Sequence, residues 1–114
     1  MVAAGSMPDS PLAFIQECVS SGRLRWTYHV TMRLKHRALP AKMLSDAVAT
    51  LEIIESYPHD KYLPGFLVRG EVQGITFHAQ LATDVEGSNV RVITMYIPDT
   101  DEWDWELRSR RKHL

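Results

Sequence analysis

A single cysteine, Cys18, rules out an internal disulfide. No His-x-x-x-His helix or cysteine pair offers the spacing of a structural zinc site, so neither a metal nor a cofactor is expected. No apolar run is long enough to cross a membrane, and the N-terminus lacks the basic region and apolar core of a secretion signal. The expectation is a cytoplasmic protein with no membrane partner. There is no internal repeat and no low-complexity segment. Nor is there a strong excess of either charge: the formal net charge of -1 argues against a protein that holds nucleic acid by bulk positive charge.

What is there suits one folded domain. Of 114 residues, 45% are hydrophobic and 24% charged, enough for one core and too few for two ordinary domains. The opening MVAAGSMPDS is small and polar, so residues 1–9 read as a flexible tail before a domain over 10–114. The near-neutral total hides a segregation. From Cys18 to Ser45 there are six cations (Arg23, Arg25, Arg33, Lys35, Arg37 and Lys42) and no acid. From Asp46 to Glu106 there are twelve acids against Lys61, Arg69 and Arg91, and the last eight residues restore four cations. Such a distribution can create a positive face on a neutral protein.

Ser10-Pro11 is a good start signal and Gly22 a good stop, so a helix is expected over Pro11 to Ser21, with Leu12, Ile15 and Val19 buried. The run RLRW reads as extended, and Thr27 can cap a second helix running to about Arg37. Leu39-Pro40 breaks it, and a third helix is expected over Pro40 to Leu51, where Leu44, Ala47, Val48 and Leu51 share a face. The period then changes to alternation. Four strands are expected near Glu52–Tyr57, Gly65–Glu71, Ile75–Ala82 and Asn89–Ile97, joined by hairpin-length turns and therefore antiparallel. The last strand is apolar on both faces, which suits a central position. The closing DTDEWDWELRSRRKHL has acids first and cations last, as a final turn or short helix would. Helices followed by a meander make an α+β fold: N-terminal helices packed on a roughly four-stranded antiparallel sheet.

The segment TYHVTMRLKHR spaces His29, Arg33 and Arg37 four residues apart with no acid among them. On a helix these three and His36 fill a wedge of roughly 100° beside the buried Val30 and Leu34. Arginine presents a planar fork of donors suited to phosphate, and histidine exchanges protons near neutral pH. Two readings of this row compete. Either it meets a ligand, or its arginines pair with acids of the sheet and His29 donates to a backbone carbonyl. His78 falls on the polar face of its strand, where a surface role is the usual one and proton transfer the alternative. Trp26 and Trp103 are expected to pack, leaving Trp105 partly exposed.

The run H-V-T-M-R-L-K-H-R, followed by EIIESYP and VITMYIPDTDEW, resembles a bacterial domain-of-unknown-function family related to the RelE- and BrnT-like toxins. The matching positions are His29, Arg33, Arg37, Tyr57, Thr94, Tyr96, Pro98, Asp99 and Trp103, and the similarity runs from about Leu24 to Trp103. The resemblance implies a RelE-like fold and two functions. The first is a metal-independent endoribonuclease, the toxin of a toxin–antitoxin pair, with His29 as acid or base, Arg33 and Arg37 on phosphate, and Tyr96 supplying a hydroxyl. The second is a non-catalytic module that binds RNA or protein. RNA and an antitoxin protein are the implied partners, and a homodimer through the last strand or the C-terminal segment fits either function. Toxins of this type are generally basic and draw cations from the sheet and C-terminus, whereas this chain is acidic there until Arg108.

Overall fold

The computed structural model describes residues 5–111. The first helix, α1 (Pro11–Ser20), starts at its proline and buries Ile15, Cys18 and Val19. Gly22, at φ +73, lets the chain reverse out of it. Strand β1 (Leu24–Trp26) follows, and Thr27 then caps α2 (Tyr28–His36), its side chain accepting from the Val30 N–H at 3.1 Å. Only Val30 and Leu34 of α2 are fully buried, so the cationic row is left on the outer side.

The expected third helix is broken in two. A short α3 (Met43–Asp46) is followed by a 3-10 turn at Val48–Thr50. Leu44, Ala47 and Leu51 are nonetheless buried, so the apolar face was correct and the hydrogen bonding was not. Thr50 explains the difference. Its hydroxyl accepts the Glu71 N–H at 3.0 Å, which fastens the segment to the sheet instead of letting it continue as a helix.

The strands β2 (Glu52–Tyr57), β3 (Gly65–Val72), β4 (Ile75–Asp84) and β5 (Asn89–Tyr96) form the antiparallel meander expected from alternation. At the β3–β4 reversal, Gln73 and Gly74 both take positive φ, the backbone of a tight two-residue hairpin turn. The sheet has five strands, however, in the order β1-β5-β4-β3-β2. The extra one is the RLRW segment, whose β1 lies parallel to β5 with Leu24 opposite Val90 and Trp26 opposite Val92. The sheet is therefore mixed, and β5 is an interior strand.

One sheet face meets the helices. Phe66, Val68, Phe77, Ala79, Leu81, Val90, Val92 and Met95 join residues of α1, α2 and α3 in the core. Gly70 lies under Phe77, where a Cβ would come within 2.6 Å of the ring. Two bulges set which side chains reach the other face. Ile54 is the extra residue in β2, between the Ile53–Val68 and Glu55–Leu67 pairs. Ile93 is extra in β5, between Val92 opposite Leu81 and Thr94 opposite Gln80. A bulge shifts the alternation by one residue. Met95 is thereby buried in the core while Thr94 and Tyr96 turn to the opposite face, beside Gln80 and His78.

That opposite face is partly covered by the C-terminus. A turn at Asp99–Trp103 does form, with the Trp103 N–H donating to the Asp99 carbonyl at 3.1 Å. Beyond it the expected helix is replaced by a two-stranded hairpin, β6 (Trp103–Asp104) and β7 (Ser109–Arg110). Its cations find carboxylates on β2, which a helix dipole does not outweigh: Arg108 bonds Glu52 at 2.9 Å and Arg110 bonds Glu55 at 2.7 Å. Residues 112–114 of the expected helix lie outside the described residues. At the other end, Gly5 donates to the Tyr62 carbonyl at 2.9 Å and the Ser6 hydroxyl to Glu86 at 2.6 Å. No helix among the described residues is long and apolar enough to cross a membrane.

Candidate functional site

Strand β1 ends opposite Val92, so among the described residues the outer edge of β5 beyond that point has no strand partner. Arg37 takes over there. From the end of α2 its Nη1 donates to the Met95 carbonyl at 2.7 Å and to Thr94 Oγ1 at 3.1 Å. Both acceptors are neutral, so they hold the guanidinium in place without cancelling its charge. Among the described residues, no carboxylate lies within 4.0 Å of His29, Arg33 or Arg37, and all three are exposed. The acids of the sheet are engaged elsewhere. Glu52 holds Arg69 and Arg108, Glu55 holds Arg110, and Asp84 holds Arg91. Arg33 and Arg37 thus face no carboxylate among the described residues, while Arg69, Arg91, Arg108 and Arg110 are each paired with one.

Thr94 and Tyr96 share a face of β5 and lie about 7 Å apart along the strand. The Tyr96 hydroxyl is 3.3 Å from Nδ1 of His78, its cross-strand partner. His78 is not the surface residue that the polar parity of its strand implies. It is fully buried, with Trp103 edge-on at 4.4 Å between ring centroids, and its Nε2 lies 2.7 Å from the Leu107 carbonyl. A carbonyl can only accept, so Nε2 carries the hydrogen; in the neutral ring Nδ1 is then an acceptor and Tyr96 donates to it. The neutral form is favoured because burial, reinforced by the charge of Arg69, pulls the His78 pKa below its usual value despite the Leu107 bond. Burial also raises the Tyr96 pKa, so its phenol remains a donor.

The hairpin achieves this at a backbone cost. Trp105, Glu106 and Leu107 all have positive φ, at 51°, 54° and 69°. Three non-glycine residues in that region cost roughly 1–2 kcal/mol each. In return the Glu106 carbonyl accepts from Arg69 Nε at 2.9 Å and the Leu107 carbonyl meets His78, satisfying two buried polar side chains. Tyr57 is tied into the same layer by a short hydrogen bond to Glu55. That bond is the main reason its pKa is raised.

A pH dependence follows from His78. In the folded chain its pKa lies below the unfolded value of about 6.5. Only the unfolded state gains from protonation just below that value. The contribution of neutral His78 is therefore complete above about pH 6.5 and lost as pH falls toward the folded pKa. Glu52 and Glu55 have lowered pKa values, set by bonds from Arg108 and by Arg110 and Tyr57 outweighing burial, so their contribution is lost only below about pH 4.5. Urea denaturation between pH 7.5 and 5 should show a loss of stability that is weaker in His78→Gln. An identical pH dependence in the variant would remove His78 as its source.

The row predicted from sequence is therefore divided. Arg37 stands one residue pair from Tyr96, through Thr94, whereas Arg33 and His29 lie about 6 and 12 Å further along the helix. Sequence reasoning missed the buried layer joining Tyr96, His78, Trp103 and the β2 acids. A signal for it existed in Gly65-Phe66-Leu67-Val68: a strand apolar at both parities has both faces covered, and Leu67 is only 2% exposed. The tryptophans follow expectation, with Trp26 against the core, Trp103 buried and Trp105 71% exposed.

No curated protein and no solved structure matches the chain. A family model does, over residues 26–97, a span that holds the whole cationic row, His78 and Tyr96 and stops before the C-terminal hairpin. The chain belongs to that family, described as domain of unknown function DUF4258.

Proposed function

We propose that this protein is a metal-independent endoribonuclease of the toxin–antitoxin type, related to RelE- and BrnT-like toxins and acting in the cytoplasm. The observation that carries the proposal is the Arg37 guanidinium, held on Thr94 and Met95 by neutral acceptors and facing no carboxylate among the described residues, two positions along β5 from Tyr96, whose hydroxyl meets the buried, neutral His78. Cleavage of this kind needs cations on the phosphate and groups that move two protons. Arg37, with Arg33 behind it, holds the non-bridging oxygens. The Tyr96 oxygen accepts the proton of the RNA 2'-hydroxyl as its own proton passes to His78 Nδ1. The 2'-oxygen bonds to phosphorus, the bond to the 5'-oxygen breaks, and that oxygen takes a proton from water, because His29 lies about 12 Å along the helix from Arg37. The products are a 2',3'-cyclic phosphate and a 5'-hydroxyl.

The test is incubation of RNA with purified protein in the presence of chelator. Cutting should persist, and Tyr96→Phe should reduce it by about 10²-fold or more, the usual yield of a positioned proton-transfer group. His29→Ala should leave the rate within a few-fold; a loss of about 10²-fold would instead make the imidazole the acid. An intact fold with no cutting under any condition would reject the enzyme reading. The second reading is an RNA- or protein-binding module, supported by Tyr28, 80% exposed beside His29 and available to stack on a base. Binding that weakens steeply with salt, without cleavage, would favour it. An acidic antitoxin would occupy the same positive face in either case, and a second copy of the chain would pair through the C-terminal segment.

A further inference from the structure

On the same sheet face as His78, a groove of about 340 Å³ lies between the loop over residues 58–64 and β5. Its floor is Gly65. A Cβ at that position would lie 2.6 Å from Asp60 Oδ2 and 3.1 Å from Gln80 Nε2. A carboxylate oxygen and an amide nitrogen therefore converge over one glycine, in space that any other residue would fill. Neither side chain is committed elsewhere: among the described residues, neither makes a side-chain hydrogen bond or ion pair. Tyr62, 67% exposed, stands at the loop side, and Ile93 and Arg91 form the β5 side.

We propose that this groove is a guanine pocket that selects the nucleotide next to the phosphate held by Arg37. A carboxylate followed by an amide donor matches the pairing edge of guanine in order. The two oxygens of Asp60 accept from N2–H and N1–H, and the Gln80 amide donates to O6. Guanine alone among the four RNA bases presents two adjacent donors to one carboxylate. Tyr62 supplies the aromatic surface on which an unpaired base stacks. The groove also sits where a base should be: Gln80 pairs across the sheet with Thr94, the residue that accepts from Arg37. Neighbouring side chains at such a pair are about 5 Å apart, within the span of one nucleotide.

The ligand class rests on the RNA-cleaving reading, so the test is made on binding and separately on cutting. The full chain is titrated with the 3'-monophosphates of guanosine, adenosine, cytidine, uridine and inosine, following backbone amide shifts at Gln80, Ala82 and Ile93. Guanosine monophosphate should bind at least about fivefold more tightly than the adenosine, cytidine and uridine nucleotides, the discrimination expected of one good bidentate contact. Inosine, lacking the second donor, should lose that advantage. Asp60 is an exposed loop residue, so Asp60→Asn should fold normally and abolish the preference. If these hold while RNA is not cut, the pocket stands and the nuclease reading falls. The pocket is overturned if no nucleotide moves those amides, if all bind alike, or if Asp60→Asn keeps the preference, even should RNA be cut.

Discussion

Arg37→Ala is expected to slow RNA cleavage by about 10²–10³-fold, the loss seen when one preorganised donor to a developing negative charge is removed. The expectation rests on placement. Arg37 is held at the unpaired edge of β5 by Met95 and Thr94, so its remaining donors are fixed before substrate arrives. The same bonds give it a structural part. Removing the donor to the Met95 carbonyl should cost about 1.5–3 kcal/mol, the range for a hydrogen bond made by a charged group. The two effects separate by experiment. Arg37→Lys keeps the charge but lacks the fork, and should recover part of the stability and little of the rate. Single-turnover cleavage in chelator reads the first effect and urea denaturation the second. Unchanged cleavage in Arg37→Ala would end the case for this residue on phosphate.

Trp103→Ala should lower stability by about 3–5 kcal/mol, the range for truncating a buried large aromatic. Trp103 is 2% exposed, lies edge-on to His78 and has the Arg110 guanidinium 4.7 Å over its ring. Its loss opens the cover of His78 and removes the platform that aligns Arg110 on Glu55. At roughly 4 °C per kcal/mol for a chain of this size, the melting temperature should fall by about 12–20 °C. Trp103→Phe should keep part of the packing and fall between. A change under about 1 kcal/mol would mean that the hairpin detaches locally at little cost and that His78 owes its burial to other groups. Thermal melts of the parent chain and both variants, followed by far-ultraviolet circular dichroism, distinguish these by the size of the shift in melting temperature.

Much of the fold was legible because local physics and tertiary packing agree. The glycine after α1, the Thr27 cap and the Gln73-Gly74 turn act within a few residues and form as their chemistry dictates. The errors fall where a distant partner outweighs a local preference. The third helix was divided because the Thr50 hydroxyl bonds Glu71 in β3. The C-terminal helix gave way to a hairpin because Arg108 and Arg110 meet Glu52 and Glu55, more than fifty residues away in sequence. Likewise, the three-residue β1 has no recognisable periodicity, and only its pairing with β5 makes it a strand.

The candidate site divides along the same line. Spacing by fours put His29, Arg33 and Arg37 on one side of a capped helix, a property of helix geometry alone. That no carboxylate among the described residues meets them was decided in space, where Glu52, Glu55 and Asp84 are taken by other arginines. The place of Tyr96 was decided there too. Strict alternation would have sent Thr94 and Tyr96 into the core with Val90 and Val92, and only the extra residue at Ile93 turns them outward beside His78. A bulge is a compromise between two strands over register, so its position depends on both chains of the ladder and on what lies above and below them. The cationic row was therefore written in the order of the residues, whereas its meeting with a tyrosine, a buried histidine and the groove over Gly65 was decided by pairing across the sheet.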